Sequence, residues 1–210
     1  MANETIKEVV CPRCGETQEH KIYLQIYTAK DPAVKQQILK ETFFNWECPK
    51  CGYVADMTYP CLFMDIKFRY ALLFMPVGNV PLPELPEQLS GYTKRIVRTP
   101  AELKEKLLIF DSGHNDVALE LVKNALCTTV LSKYKVTKLK ALFSREKDGE
   151  FEFALFIPDK KEPIYHVLRS EIYQESLSIL DTLGFEEKEE FLQVNAKLAT
   201  KLLAEYEQLE

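Results

Sequence analysis

The 210-residue chain has no apolar run longer than seven residues, Ala71 to Val77, far short of the ~20 that span a bilayer as a helix. Met1 to Val10 carries no apolar stretch of the kind a secretory signal needs, and no lipidation signature is present. The expectation is a cytoplasmic protein without a membrane partner. Glycine is scarce, at seven residues, and none builds a phosphate-cradling loop. HExxH and G-x-S-x-G are absent as well, which removes the commonest metalloprotease and hydrolase signatures. Excess positive charge is also missing. Lysine and arginine total 27 against 32 aspartates and glutamates, a net charge of −5. Residues 1–60 hold 7 basic and 8 acidic groups, residues 61–110 hold 7 and 5, and residues 111–210 hold 13 and 19. No segment has the basic excess that gains affinity from phosphate contacts.

What is present is ordinary globular material: 46% hydrophobic and 28% charged residues. A chain of this length buries roughly 70% of its unfolded surface, so it is neither disordered nor a disulfide-stapled miniature. Six cysteines in a chain without a recognisable signal point to a reducing compartment, where paired cysteines hold metal more often than they form disulfides.

The pattern along the chain predicts an α+β protein in three parts: residues 1–76, a β module with a following hairpin; residues 77–98, a proline-rich connector with a short strand; and residues 99–210, helices plus an antiparallel hairpin. His20–Tyr27 alternates, with Ile22, Leu24 and Ile26 on one face. Asp31-Pro32 opens a short helix to about Leu39. Strands are expected over Thr42–Trp46 and Tyr53–Tyr59, and a hairpin over Cys61–Ile66 and Phe68–Met75. Prolines at 76, 81, 83 and 86 make the next stretch an extended connector, with a short strand at Arg95–Arg98. Thr99-Pro100-Ala101-Glu102 is a capping box. It starts a helix with Leu103, Leu107 and Phe110 on its apolar face, and a second helix follows over about Asp116–Leu131. Lys147-Asp148-Gly149 joins strands Thr137–Ser144 and Glu150–Ile157, with a third strand at Ile164–Leu168. Ser170 is expected to cap a helix ending near Gly184. A final amphipathic helix is expected from about Glu186, with Phe191, Val194, Leu198 and Leu202 on one stripe.

Cys11-Pro12-Arg13-Cys14-Gly15 and Cys48-Pro49-Lys50-Cys51-Gly52 repeat one C-P-x-C-G pentapeptide. Four thiolates supply the soft tetrahedral shell of a closed structural zinc site. Two residues between cysteines let one tight turn aim both sulfurs at a single ion. Proline presets φ in that turn, and glycine can take φ > 0. The expected ligands of one structural Zn²⁺ are Cys11, Cys14, Cys48 and Cys51, in a zinc-ribbon-like module. Arg13 and Lys50 are placed to offset the site's net negative charge. The 33 residues between the knuckles, Gly15 through Glu47, exceed a compact ribbon's 15–20, and the Asp31–Leu39 helix accounts for much of the excess. Thioredoxin-like redox chemistry is an alternative, but it needs the pair at a helix N-terminus. Here each pair is followed by glycine and strand-like residues.

The paired knuckles resemble the CpXC domain family. Asp31-Pro32, Asn45, Tyr59-Pro60 with Asp65 beyond it and, more loosely, Arg95–Leu121 extend the likeness, over about residues 5–130. Where the family pattern has Tyr-His-Asp, this chain has Phe63-Met64-Asp65. The resemblance implies a zinc-binding domain of prokaryotic type and supplies no activity.

Cys61 and Cys127 read as buried thiols. Asp111, His114 and Asp116 offer either acid–base groups or a helix-capping turn, so an enzyme using the Asp111/His114 region stays open. Tyr23, Tyr27, Phe43, Phe44 and Trp46 offer either a stacking platform for single strands or a small core. The leading function is a non-enzymatic, zinc-stabilised module that binds another protein. A nucleic-acid-associated regulator is the alternative and an enzyme the third reading. The charge map predicts flat fluorescence-anisotropy titrations against random DNA and RNA at physiological salt. Micromolar binding with a steep salt slope would reverse that expectation.

Overall fold

In a computed structural model, residues 3–28, 30–76, 89–158 and 160–209 are described. The prolines at 81, 83 and 86, and with them most of the expected connector, lie outside these residues. The described chain is a mixed α+β protein with five helices and three sheets. It divides into two compact units, one of residues 1–104 with 189–191 and one of residues 105–188 with 192–210.

The first unit is built on a five-stranded sheet ordered β1-β2-β5-β6-β7, from β1 (Asn3–Val10), β2 (Thr17–Tyr27), β5 (Cys61–Asp65), β6 (Tyr70–Phe74) and β7 (Thr93–Val97). β1 pairs antiparallel with β2, and β5 with β6. β2–β5 and β6–β7 are parallel. Every residue of β5 and β6 is buried, as expected of central strands covered on both faces. One face holds Leu62, Met64, Ala71, Leu73 and Met75. On the other, Phe43, Phe44, Tyr59, Phe63 and Phe74 pack edge-on or stacked, with Phe44 and Phe74 4.7 Å apart. Phe43 and Phe44, two of the rings that could have stacked on bases, are therefore core.

The helix α1 (Pro32–Leu39) runs as the sequence predicts, with the Asp31 carboxylate accepting from the Val34 N–H and with Val34 and Ile38 buried. Thr42–Phe44 is a turn, and the strand into the second knuckle, β3 (Asn45–Glu47), pairs with β4 (Val54–Asp56). Asp65 closes the β5–β6 turn, accepting from the Lys67 and Phe68 N–H groups and from the Thr28 hydroxyl. That gives the aspartate of Phe63-Met64-Asp65 a structural task.

The helix α2 (Pro100–Asp111) begins with the predicted cap, displaced by one residue on its return leg. Thr99 Oγ1 accepts from the Glu102 N–H, while Glu102 accepts from the N–H of Arg98. α3 (Asp116–Tyr134) is capped by Asn115 and extends past the expected Leu131. In the second unit β8 (Lys140–Lys147), β9 (Glu150–Phe156) and β10 (Ile164–Arg169) form an antiparallel sheet ordered β10-β9-β8. Its first hairpin turns on Asp148 (φ 55°) and Gly149 (φ 77°), the left-handed pair a two-residue loop requires. α4 (Ser170–Thr182) starts with Ser170 as its first residue and no side-chain cap, so the expected Ser170 cap is not made. The last helix, α5 (Ala196–Glu207), begins ten residues later than the apolar stripe suggested. The Asn195 side chain accepts from the Leu198 N–H and sets a new N-terminus, which leaves Phe191 and Val194 outside the helix.

The second unit also buries charge. Lys106 meets Asp116 at 2.5 Å, and Lys123 meets Glu105 at 2.9 Å and Glu120 at 2.8 Å, with every one of these side chains under 10% exposed. Glu105 additionally accepts from the Phe143 N–H at 2.7 Å, tying α2 to β8. Burial works against the Lys123 ammonium, but Glu105 and Glu120 overcome it and hold the charge. Removing one partner strands the other, so Asp116→Ala should cost about 3–5 kcal/mol in denaturant unfolding. The joint Lys106→Met/Asp116→Leu replacement should cost far less, since it buries no orphan charge.

Candidate metal centre

Each C-P-x-C-G pentapeptide is the connection of a hairpin. The first lies between Val10 and Thr17, the paired ends of β1 and β2, and the second between Glu47 and Val54, the paired ends of β3 and β4. The two turns repeat one hydrogen-bond pattern. The Cys11 N–H donates to the Glu16 carbonyl at 2.8 Å and the Gly15 N–H to the Cys11 carbonyl at 2.9 Å. The Cys48 N–H donates to the Tyr53 carbonyl at 2.8 Å and the Gly52 N–H to the Cys48 carbonyl at 2.9 Å. Gly15 (φ 71°) and Gly52 (φ 65°) take the left-handed conformation that this turn requires. The shared C-P-x-C-G pattern thus gives the same hydrogen-bonded turn at both tips.

The tips converge. The Cys11 and Cys51 sulfurs are 3.6 Å apart, as are those of Cys14 and Cys48, and all four lie within 4.8 Å of one another. A disulfide requires ~2.05 Å, so these are free thiols. Four sulfurs at ~2.3 Å around a tetrahedral ion would sit about 3.8 Å apart, close to the observed spacing. Cys11 and Cys48 are buried and Cys14 and Cys51 half-buried. The donor set is all sulfur, and among the described residues no other group of three or more histidines, cysteines or carboxylates could hold a metal ion. Four thiols this close cannot all ionise without a cation. Burial opposes ionisation of Cys11, but the N–H groups of Cys14 and Arg13 and its sulfur neighbours bring it down to about 7. Cys14, although the Glu16 N–H favours its thiolate, is pushed up to about 12 by burial and by the facing sulfurs. The cluster could hold a metal ion, and the residues fit one that prefers soft tetrahedral ligands.

Lys50 does not serve the sulfurs alone. Its ammonium donates to Glu16 at 2.7 Å, a link between the two knuckles that spacing could not reveal, and this contact first raises its pKa. Behind the sulfurs stands Trp46, 3% exposed, packed with Cys11 and Cys48 and flanked by Val9, Tyr53, Ala55 and Met57. It is the only tryptophan of the chain.

The other candidates lie elsewhere. Cys61 is fully buried in β5, its thiol pushed well up by burial. Cys127 is half-buried in α3 and raised by burial. His20 sits half-buried in β2 opposite Lys7. Asp111 ends α2, Asn115 caps α3 and Asp116 pairs with Lys106. His114 is wedged against Phe151 (4.9 Å), Tyr173 (5.3 Å) and Phe143 (6.4 Å). The turn is therefore occupied by capping and packing.

The family described as CpXC protein matches residues 9–123, more than half of the chain and the whole of the cysteine cluster. The chain belongs to the CpXC family. No significant match is found among curated proteins or among solved structures.

Two outcomes follow from this geometry. Stripping metal with a chelator, or Cys48→Ser, should red-shift the Trp46 emission as its packing opens, while far-UV circular dichroism keeps the helical signal of residues 99–210. Unchanged emission, or complete loss of helix, would contradict a local site. The second concerns His114, whose pKa burial holds below the usual histidine value, against a small opposing pull from Glu146. The fold favours the neutral ring. This contribution is complete above the unfolded value of about 6.5 and fades as pH falls below it toward the lowered folded value. Thermal midpoints measured from pH 7 to pH 5 should fall more steeply for wild type than for His114→Phe.

Proposed function

We propose that this chain is a non-enzymatic protein-interaction module whose metal-bearing part is zinc-ribbon-like. One structural Zn²⁺ would be held by Cys11, Cys14, Cys48 and Cys51. The observation that carries the metal assignment is the poverty of the core between the knuckles. The β3–β4 hairpin has three-residue strands, and the cluster beneath it buries only Cys11, Trp46 and Cys48. Such a hairpin is marginal alone. A structural zinc contributes ~10–16 kcal/mol of apparent binding energy, comparable with the ~5–15 kcal/mol stability of a whole domain. The ion would thus stand in for a core. Four sulfurs close the tetrahedron and leave no position for substrate or water, which suits structure rather than catalysis.

Two features support a protein partner over nucleic acid. Ile6, Val10 and Val54 are large apolar residues more than half exposed on the knuckle hairpins. The same hairpins carry Glu4, Glu8, Glu16, Glu19, Glu47 and Asp56 against Lys7, Arg13, Lys21 and Lys50, and a zinc tetrathiolate adds two more negative charges. That surface repels a phosphate backbone. The reading has the chain in the reducing cytoplasm, where four thiols stay available to metal. Native mass spectrometry of the freshly purified chain should show one zinc, absent from Cys48→Ser. Proteins cross-linked to the wild-type chain in its own cells should be lost with Cys48→Ser and with Val54→Lys. Metal-free native protein, or a partner set indifferent to both changes, would count against the proposal.

A further inference from the structure

The sheet of the second unit has two unlike edges. β8 carries Lys140, Arg145 and Lys147 and a register irregularity between Phe143 and Arg145, the usual protections against edge pairing. β10, Ile164-Tyr165-His166-Val167-Leu168-Arg169, has none within its span: no proline, no lysine, no bulge, and a single charge at its last residue. Of its even-numbered side chains, Ile164 and Leu168 pack on the core and His166 between them is exposed. Its odd-numbered ones face away, with Tyr165 58% and Val167 47% exposed, and Phe156 of β9 43% exposed. Cross-strand register puts Tyr165 beside Ala154 and then Leu142, and Val167 beside Glu152. Glu152 is held by Arg145 at 2.8 Å. The outer face of this sheet thus carries an apolar strip, Leu142, Ala154 and Tyr165, that runs to the β10 edge between Lys140, which lies beside Phe156, and the Arg145–Glu152 ion pair.

We infer that β10 pairs with β10 of a second copy of this chain, antiparallel about a two-fold axis through His166, joining the two three-stranded sheets. The strand is self-complementary in that register. Tyr165 faces Val167 of the other copy twice over, an aromatic–β-branched pair of the kind that stabilises sheets. Ile164 faces Leu168 on the core side, and His166 faces its counterpart. Arg169 falls beyond the paired core at the residue-163 end, so no like fixed charges oppose one another. Sliding the copies by two residues sets Arg169 against Tyr165 or Pro163 against Val167, so the hydrophobic pattern selects one register. The β1 edge offers no such match. An antiparallel two-fold there brings Glu8 against Glu8, Glu4 against Glu8, or a glutamate against Ile6 or Val10. The dimer edge lies on the unit without the cysteine cluster, so it does not rest on the metal assignment.

The test is a charge swap in the full chain. Sedimentation equilibrium at about 100 μM should give twice the 24.3 kDa monomer mass for wild type. Val167→Lys and Tyr165→Glu should each weaken dimerisation by roughly ten-fold, because each removes both Tyr165–Val167 seam pairs. Circular dichroism should show both variants folded. Mixed together they should re-form a dimer, since the lysine introduced in one variant then faces the glutamate introduced in the other, while the second seam pair stays Tyr165–Val167. A monomeric wild type, a dimer indifferent to Val167→Lys, or two variants that do not complement each other would overturn the proposal.

Discussion

Four sulfurs within 4.8 Å of one another are tolerable only if something offsets the charge they acquire on ionising. Without a cation the cluster must keep protons, and its members divide, Cys11 moving down and Cys14 up. The hairpin ends, the two left-handed glycines and the packing of Trp46 all serve to hold that cluster in place. The rest of the first unit does not need it. β5 and β6 are buried on both faces by aliphatic and aromatic side chains, and that core is indifferent to what the thiols bind.

The two units solve the same problem by different chemistry. Around the cysteines, where apolar material is thin, sulfur clustering replaces it. Between α2, α3 and β8 apolar material is ample, yet Glu105, Lys106, Asp116, Glu120 and Lys123 are buried in mutual contact. Buried pairs of this kind add little stability over apolar replacements, but losing one member is expensive. They fix α2 against α3 in one register, since any slide separates a charge from its partner.

Local signals were the legible part of the sequence. Asp31-Pro32, Thr99-Pro100 with Glu102, Asp148-Gly149 and the two pentapeptides each specify their geometry within a few residues, and each appears where expected. The elements without a local signal depend on distant partners. β1 has no strict alternation of its own and becomes a strand because β2 offers partners in continuous register from Glu4 to Val10, with Asn3 joined across a register shift. The parallel contacts β2–β5 and β6–β7 join strands far apart in sequence, about which periodicity is silent. The stripe from Phe191 to Leu202 reads as one helix because apolar spacing carries over the Asn195 cap. At the site, the cysteines could be named from spacing alone, whereas the Glu16–Lys50 link and the burial of Trp46 are products of the tips meeting.

As proposed, the two hairpin tips enclose one tetrahedral metal ion in sulfur. X-ray absorption at the zinc edge, on protein purified without added metal, tests it most directly. The expected spectrum has four sulfur neighbours at ~2.3 Å around zinc and no nitrogen or oxygen in the first coordination sphere. A spectrum that requires oxygen or nitrogen ligands, or a protein whose cysteines are paired as disulfides with no metal bound, would contradict it.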